Sequence, residues 1–169
     1  VHISSMDDPS FRSVYADILG KYNDREGIVI DTRFNGGGRL HEDIEILFSG
    51  KKYFTQVVRG REACDMPSRR WNKPSIMVTC EANYSNAHGT PWVYQHQGIG
   101  KVVGMPVPGT MTSVSWETLQ DPTLYFGIPI VGYRLPDGSY LGNKQLEPDV
   151  KIANSPEKII KGEDEQLET

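Results

Sequence analysis

A glycine-rich segment carries one of two groups of residues suited to chemistry. Asp31 is followed by Thr-Arg-Phe-Asn and then by three glycines, Gly36 to Gly38, ahead of a helix-forming stretch. Such a loop exposes backbone N–H groups at a helix N-terminus, where it could hold a phosphate or a developing oxyanion. The pattern matches neither GxGxxG nor the P-loop, so nucleotide binding has no specific support. A tight turn that needs positive φ is the structural alternative.

The second group lies between Glu81 and Gly89 and places Ser85 at the first turn of a helix. A serine that follows a buried strand in this way has the geometry of a nucleophile, and the N–H of Asn86 could help to stabilise an oxyanion. An ordinary serine N-cap is the alternative. A glycine-rich donor loop after a neighbouring strand favours the catalytic interpretation.

A serine nucleophile needs a base, and none of the four histidines is a clear candidate. His2 lies in a predicted strand, and His41 begins a helix near the glycines. His88 shares a helix face with Ser85 and could line a pocket, but it is too close on the same helix to reach the hydroxyl well. His96 fits a cation at a helix C-terminus. No group of side chains has metal-ligand spacing, so we expect no metal or cofactor.

Apolar periodicity predicts the elements that must position these segments. An α/β domain with one central sheet is expected, in which the loops 31–39 and 79–86 meet at the carboxyl ends of the strands. We predict exposed or irregular chain over 60–72 and 105–124. The predicted strands are 1–4, 27–31, 53–58, 75–79, 101–104 and 128–134, and the predicted helices begin at an Asp8 N-cap, near Leu40, at 86 and at Ser155-Pro156.

Composition excludes several classes of protein. The chain has 169 residues with 18 basic and 22 acidic side chains, and four of the acids lie in the last eight residues. The rest is balanced, which argues against a nucleic-acid partner, and no apolar run is long enough for membrane insertion. We expect the acidic end to be solvated and frayed. Cys64 and Cys80 allow at most one disulfide, and they do not indicate whether the protein works in an oxidising or a reducing compartment.

Four motifs occur in an order that resembles a peptidase family: GIVIDTRFNGGG, NYSNAHG, GKVVGMPVPGTMT, and PDG with LEPDV. Together they are similar to the tail-specific (C-terminal-processing) serine peptidases, above all the tricorn-like bacterial branch, over residues 1–152. The resemblance implies a crotonase-like fold, also seen in Clp proteases, with β-α-β units, a central sheet and a β-rich C-terminal part. Residues 153–169 would add a short helix and an acidic tail.

The resemblance implies an acyl-enzyme on Ser85 and an oxyanion hole formed by the N–H of Asn86 and that of Gly37 or Gly38. The substrates would be peptides or unfolded protein, and no cofactor is implied. The chain begins without Met, which suggests a fragment of a longer protein. The resemblance also allows a homo-oligomer, and it slightly favours an exported or periplasmic location over the cytoplasm.

The chain departs from the family at two places. Thr110, which with Gly109 would flank the pocket, stands where the tail-specific branch has its lysine base. The tricorn-like branch takes a histidine from an upstream domain instead, so the base is expected from there. Gly142 replaces the glutamate that orients this base, and Glu147 belongs to the LEPDV motif.

Two alternatives to a working peptidase therefore remain. One is a catalytically impaired pseudo-peptidase that binds peptides or serves in assembly. The other is a crotonase-like acyl-CoA enzyme, but only Arg33 and Arg39 lie near the two loops to bind the CoA phosphates.

Overall fold

The computed structural model describes all 169 residues and contains eight strands. In chain order the strands are β1 (Ile28–Asp31), β2 (Phe54–Val58), β3 (Arg61–Met66), β4 (Ser75–Thr79), β5 (Lys101–Gly104), β6 (Thr112–Thr118), β7 (Tyr125–Gly132) and β8 (Val150–Lys151). The helices are α1 (Asp8–Ala16), which continues as a π-helical turn over Asp17–Lys21, α2 (His41–Ser49), α3 (Asn86–His96), α4 (Pro156–Ile159) and α5 (Glu165–Glu168).

A parallel sheet with the order β1-β4-β5-β8 forms the centre of the fold. Parallel neighbours need crossover connections, and α3 supplies the one between β4 and β5. Ile30, Met77 and Val102 of the sheet are buried against the helices, together with Ile44 and Tyr94. These elements confirm the predicted α/β class with a central sheet.

The segment before α1 lies beside the first strand of the sheet. Ile3 N–H donates to the carbonyl of Asp31 and Asp31 N–H donates to that of Val1, both at 2.8 Å, so the predicted strand over 1–4 is a single parallel bridge. The N-cap of α1 is Asp7, whose carboxylate accepts from Ser10 N–H, and not the predicted Asp8.

Two antiparallel hairpins lie outside the central sheet, and the sequence predicts only one strand of each, β2 (predicted as 53–58) and β7 (predicted as 128–134). β3 occupies part of the predicted loop over 60–72 and pairs with β2. β6 occupies part of the predicted irregular stretch over 105–124 and pairs with β7. The side chains on both faces of each hairpin are largely exposed. Without a buried face, a strand shows no alternating pattern in its sequence.

The acidic C-terminal segment is folded, which corrects the expectation of a frayed end. Arg33 donates hydrogen bonds to Asp164 and to Gln166 at 3.0 Å, and its other face binds Asp31. Glu165 accepts from Ser155 N–H at 2.6 Å. The segment is thereby attached to the chain that follows β1. No helix of the chain is both long and apolar enough to span a bilayer.

Candidate active site

The two loops meet at the carboxyl ends of β1 and β4, as the sequence predicts. Gly37 lies so close to Ser85 that a Cβ added to the glycine would be 2.7 Å from the serine Cβ and 2.8 Å from the carbonyl oxygen of Tyr84. Gly37 also has φ 99°. Only glycine satisfies both conditions without strain.

Ser85 sits at a sharp turn between β4 and α3. Its φ of 54° and ψ of −118° fall in a region that residues with a Cβ rarely adopt. Its side chain makes no capping hydrogen bond, although it stands directly before the first helical residue. The N-cap explanation for this serine is therefore wrong, and the hydroxyl is free for another role.

Thr110 holds the backbone of Ser85 in this conformation. Ser85 N–H donates to Thr110 Oγ1 at 2.8 Å, and the threonine hydroxyl donates in turn to the carbonyl of Pro108 at 3.4 Å. The side chain of Thr110 thus contacts the backbone of the serine. Gly109 does not line the site, because it packs against the chain at Asn143 and Lys144.

The free N–H groups near Ser85 distinguish the candidate oxyanion donors. Gly37 N–H donates to Asn35 Oδ1 at 2.8 Å. The N–H groups of Gly38 and Asn86 have no acceptor within the chain. A Cβ on Gly38 would lie 1.9 Å from the carbonyl oxygen of Met6, so this position also requires glycine. The geometry favours Gly38 and Asn86 over Gly37 as a pair of donors.

Asn86 also joins the two helices that follow the loops. Its Oδ1 accepts from the N–H groups of Leu40 at 2.9 Å and His41 at 3.2 Å, which caps the start of α2. Its Nδ2 lies 2.8 Å from His41 Nδ1. The residue after the serine is therefore fixed through its side chain.

A cleft of about 500 Å³ opens beside Ser85. It has no histidine, lysine or carboxylate in its wall, so nothing there can take the serine proton. Its residues are Gly36, Gly38, Arg39, Tyr84, Ser85, Thr110, Thr112, Ser113, Val114, Trp116 and Gly127. The sequence does not predict the part of the wall that comes from β6 and β7, because β6 falls in a stretch predicted to be irregular.

His88 does not line this cleft, contrary to expectation. Its side chain is fully buried, and its Nδ1 accepts from Met111 N–H at 3.2 Å. Its Nε2 is buried without a hydrogen-bond partner. Burial lowers the pKa of the imidazole. This effect is larger than that of the nearby backbone of Lys144, which raises the pKa. The ring is a neutral part of the packing between α3 and the chain before β6.

Gly142 lies at the margin of the site. A Cβ at this position would be 3.3 Å from Thr112 Cγ2 and 3.6 Å from the carbonyl oxygen of Met111. Thr112 belongs to the cleft wall, so a side chain at position 142 would start next to the site. A methyl group there requires only a small movement of the threonine.

The family model of peptidase family S41 matches residues 1–152. This chain belongs to peptidase family S41. A tricorn-like protease C-terminal subunit of Sulfurisphaera tokodaii is 25% identical over 174 residues, covering 100% of this chain and 20% of the relative. Tricorn protease homolog 1 of Streptomyces coelicolor is also 25% identical, over 99% of this chain and 16% of the relative.

Structural comparison supports the same family. The crystal structure of the tricorn protease superposes with a TM-score of 0.83 at 22% identity, over 99% of this chain and 16% of that one. The S41 chain is a serine peptidase domain with the fold of the tricorn C-terminal region. It spans a fifth or less of the length of these relatives.

Proposed function

We propose that this S41 domain hydrolyses peptide bonds through an acyl-enzyme on Ser85. The observation that carries the proposal is the strained serine with a free hydroxyl, in a cleft that Gly38 also lines and next to Asn86, since the N–H groups of both residues have no acceptor within the chain. Strain of this kind persists only where the surrounding structure enforces it, and here Thr110 and Gly37 do so.

In this mechanism Ser85 Oγ attacks the scissile carbonyl carbon while its proton passes to a base. The oxyanion of the tetrahedral intermediate accepts hydrogen bonds from Gly38 and Asn86. The C–N bond then breaks, the leaving amine takes the proton from the base, and an ester on Ser85 remains. Water hydrolyses the ester by the same steps and releases the acid.

The base would come from a region of the whole protein outside this chain. Two observations support this: the cleft wall contains no side chain that can act as a base, and the ring of His88 is buried against Met111. The length of the tricorn-like relatives, of which the chain spans a fifth or less, is consistent with such a contribution. Peptides or unfolded protein would be the substrates.

The test uses the whole protein with Ser85→Ala, and with Ser13→Ala on the exposed face of α1 as the control. We expect Ser85→Ala to abolish labelling by a fluorophosphonate and to reduce turnover of reduced casein by at least about 10³-fold. Ser13→Ala should change neither. Full labelling or turnover in Ser85→Ala would contradict the proposal.

A peptide-binding module without catalysis is the second candidate, and the absent base together with Gly142 favours it. The same assay separates the two: a binding module retains peptide affinity but shows no turnover. A large gain of turnover in Gly142→Glu would then identify a lost acid at this position. If Gly142→Glu does not increase turnover, the low activity is due to the missing base and not to Gly142.

A further inference from the structure

Arg39 is the one charged residue in the wall of the Ser85 cleft. The other lining residues are glycines, hydroxyl-bearing side chains, Val114 and Trp116. The whole chain has a net charge of −4, whereas the only charged side chain in the cleft wall is positive. Glu42 and Asp43 follow in the first turn of α2, but neither lines the cleft.

The guanidinium of Arg39 has no partner within the chain. It forms no ion pair and no side-chain hydrogen bond, whereas Arg33, six residues earlier, binds two carboxylates. The backbone of Arg39 is nevertheless fixed, because its N–H donates to the carbonyl of Met6 at 2.7 Å. An arginine with a fixed backbone and an unpaired guanidinium is suited to bind a carboxylate of a ligand. The carboxylate accepts two parallel hydrogen bonds from the guanidinium.

We propose that Arg39 selects substrates that present a carboxylate near the scissile bond. This inference rests on the proposed function of Ser85. Arg39 directly follows Gly38, a proposed oxyanion donor, and consecutive Cα atoms are about 3.8 Å apart. The carboxylate therefore belongs to a residue close to the bond that is cleaved. It is either an Asp or Glu side chain or the C-terminal carboxylate of the peptide.

The first experiment measures the charge at the site without requiring catalysis. In the whole protein, the thiol of Ser85→Cys is alkylated with iodoacetate, an anion, and with iodoacetamide, its neutral analogue. Adding Arg39→Gln should slow iodoacetate about two- to five-fold and leave iodoacetamide unchanged, and Arg39→Lys should restore the rate. Cys64, which is free and exposed, serves as an internal reference in the same digest.

Arg12→Gln, on the exposed face of α1, is the matched control and should not alter either rate. An iodoacetate rate that is unaffected by Arg39→Gln would overturn the role of Arg39. Failure of both reagents at Ser85→Cys would instead overturn the accessible serine site on which the inference rests. The two failures are thus distinguishable.

The second experiment identifies the source of the carboxylate with the whole, active protein. Peptide pairs differ by Asp against Asn at each position around the cleaved bond, or by a free against an amidated C-terminus. We expect kcat/KM to favour the anionic member of one pair about two- to five-fold, and Arg39→Gln to remove that preference. Equal rates for all pairs, or a preference that survives Arg39→Gln, would overturn the inference.

Discussion

Gly37 and Ser85 touch at the point where the two loops meet, and this contact sets the position of the serine. A methyl group at Gly37 would have to occupy space 2.7 Å from Ser85 Cβ, at a backbone φ of 99°. Either the turn or the glycine loop must therefore shift when position 37 gains a Cβ.

We predict that Gly37→Ala reduces fluorophosphonate labelling of Ser85 at least about ten-fold, because a displacement of the order of 1 Å has effects of this size. Gly60→Ala is the matched control: Gly60 also has positive φ, at 84°, but nothing lies within 4 Å of an added Cβ. Both variants carry the same type of backbone strain, so equal labelling in the two would refute a role for the contact.

His88 makes stability depend on pH. Burial lowers the pKa of its imidazole in the folded chain, so the unfolded chain takes up a proton first as the pH falls below about 6.5. The stabilisation from the neutral ring is complete above that pH. It decreases as the pH falls towards the folded pKa, by at most about 1.4 kcal/mol per pH unit.

His88→Asn keeps an acceptor for Met111 N–H but does not titrate. We predict that its free energy of unfolding declines less steeply than that of the parent between pH 7 and pH 5. Urea denaturation at several pH values measures both slopes. Parallel slopes would mean that the buried ring takes up its proton in the folded state.

The sequence indicated Ser85 and the glycines because their types and order are local features. It did not indicate Thr110 as a support for Ser85, since that hydrogen bond joins residues 25 positions apart. It also placed His88 in the pocket from helical spacing alone. Which side of a helix faces the core and which faces a cleft depends on the neighbouring elements, here the chain around Met111.

Arg33 links the C-terminal segment to the chain that follows β1. Burial raises the pKa of Asp164, but hydrogen bonds from Arg33 and Asn154 outweigh this effect and hold the pKa below its usual value. The side chain of Arg33 is only 11% exposed, so this is not a solvated surface pair. The segment that contains α5 is thereby coupled to the loop that leads to the glycines.

We predict that Asp164→Asn weakens this attachment by about 1 kcal/mol and speeds hydrogen exchange at the amides of Gln166 and Leu167. Glu163→Gln is the control, because it removes an equal charge from a side chain that makes no hydrogen bond or ion pair, while the Glu163 N–H keeps its bond to the carbonyl of Lys158. Exchange that responds equally to both substitutions would show that net charge, rather than the Arg33 contact, holds the segment.

Elements with a buried face were predictable, whereas of the four exposed hairpin strands only β2 and β7 were predicted. Leu40, Ile44, Leu47 and Phe48 are all buried, and their spacing located α2 correctly. β1, β4 and β5 are short apolar runs in the buried sheet. β3 and β6 carry polar and apolar side chains on two exposed faces, and hydrophobic periodicity cannot identify a strand of that kind.

The cleft beside Ser85, the proposed nucleophile, has no base in its wall. We predict that residues 1–169 alone, verified as folded by circular dichroism, hydrolyse reduced casein at least about 10³-fold more slowly than the whole protein. Turnover by the isolated chain that depends on Ser85 would show that it supplies its own base.

The three consecutive glycines differ in how strictly the structure requires glycine at each position. Gly37 is confined by Ser85 and Gly38 by the carbonyl of Met6, whereas a Cβ on Gly36 would have nothing within 4 Å. Selection for the fold can therefore act far more strongly on Gly37 and Gly38 than on Gly36. In divergent relatives of this sequence, we expect the first of the three glycines to be replaced most often. A sequence pattern that requires all three glycines would therefore miss true members of the family.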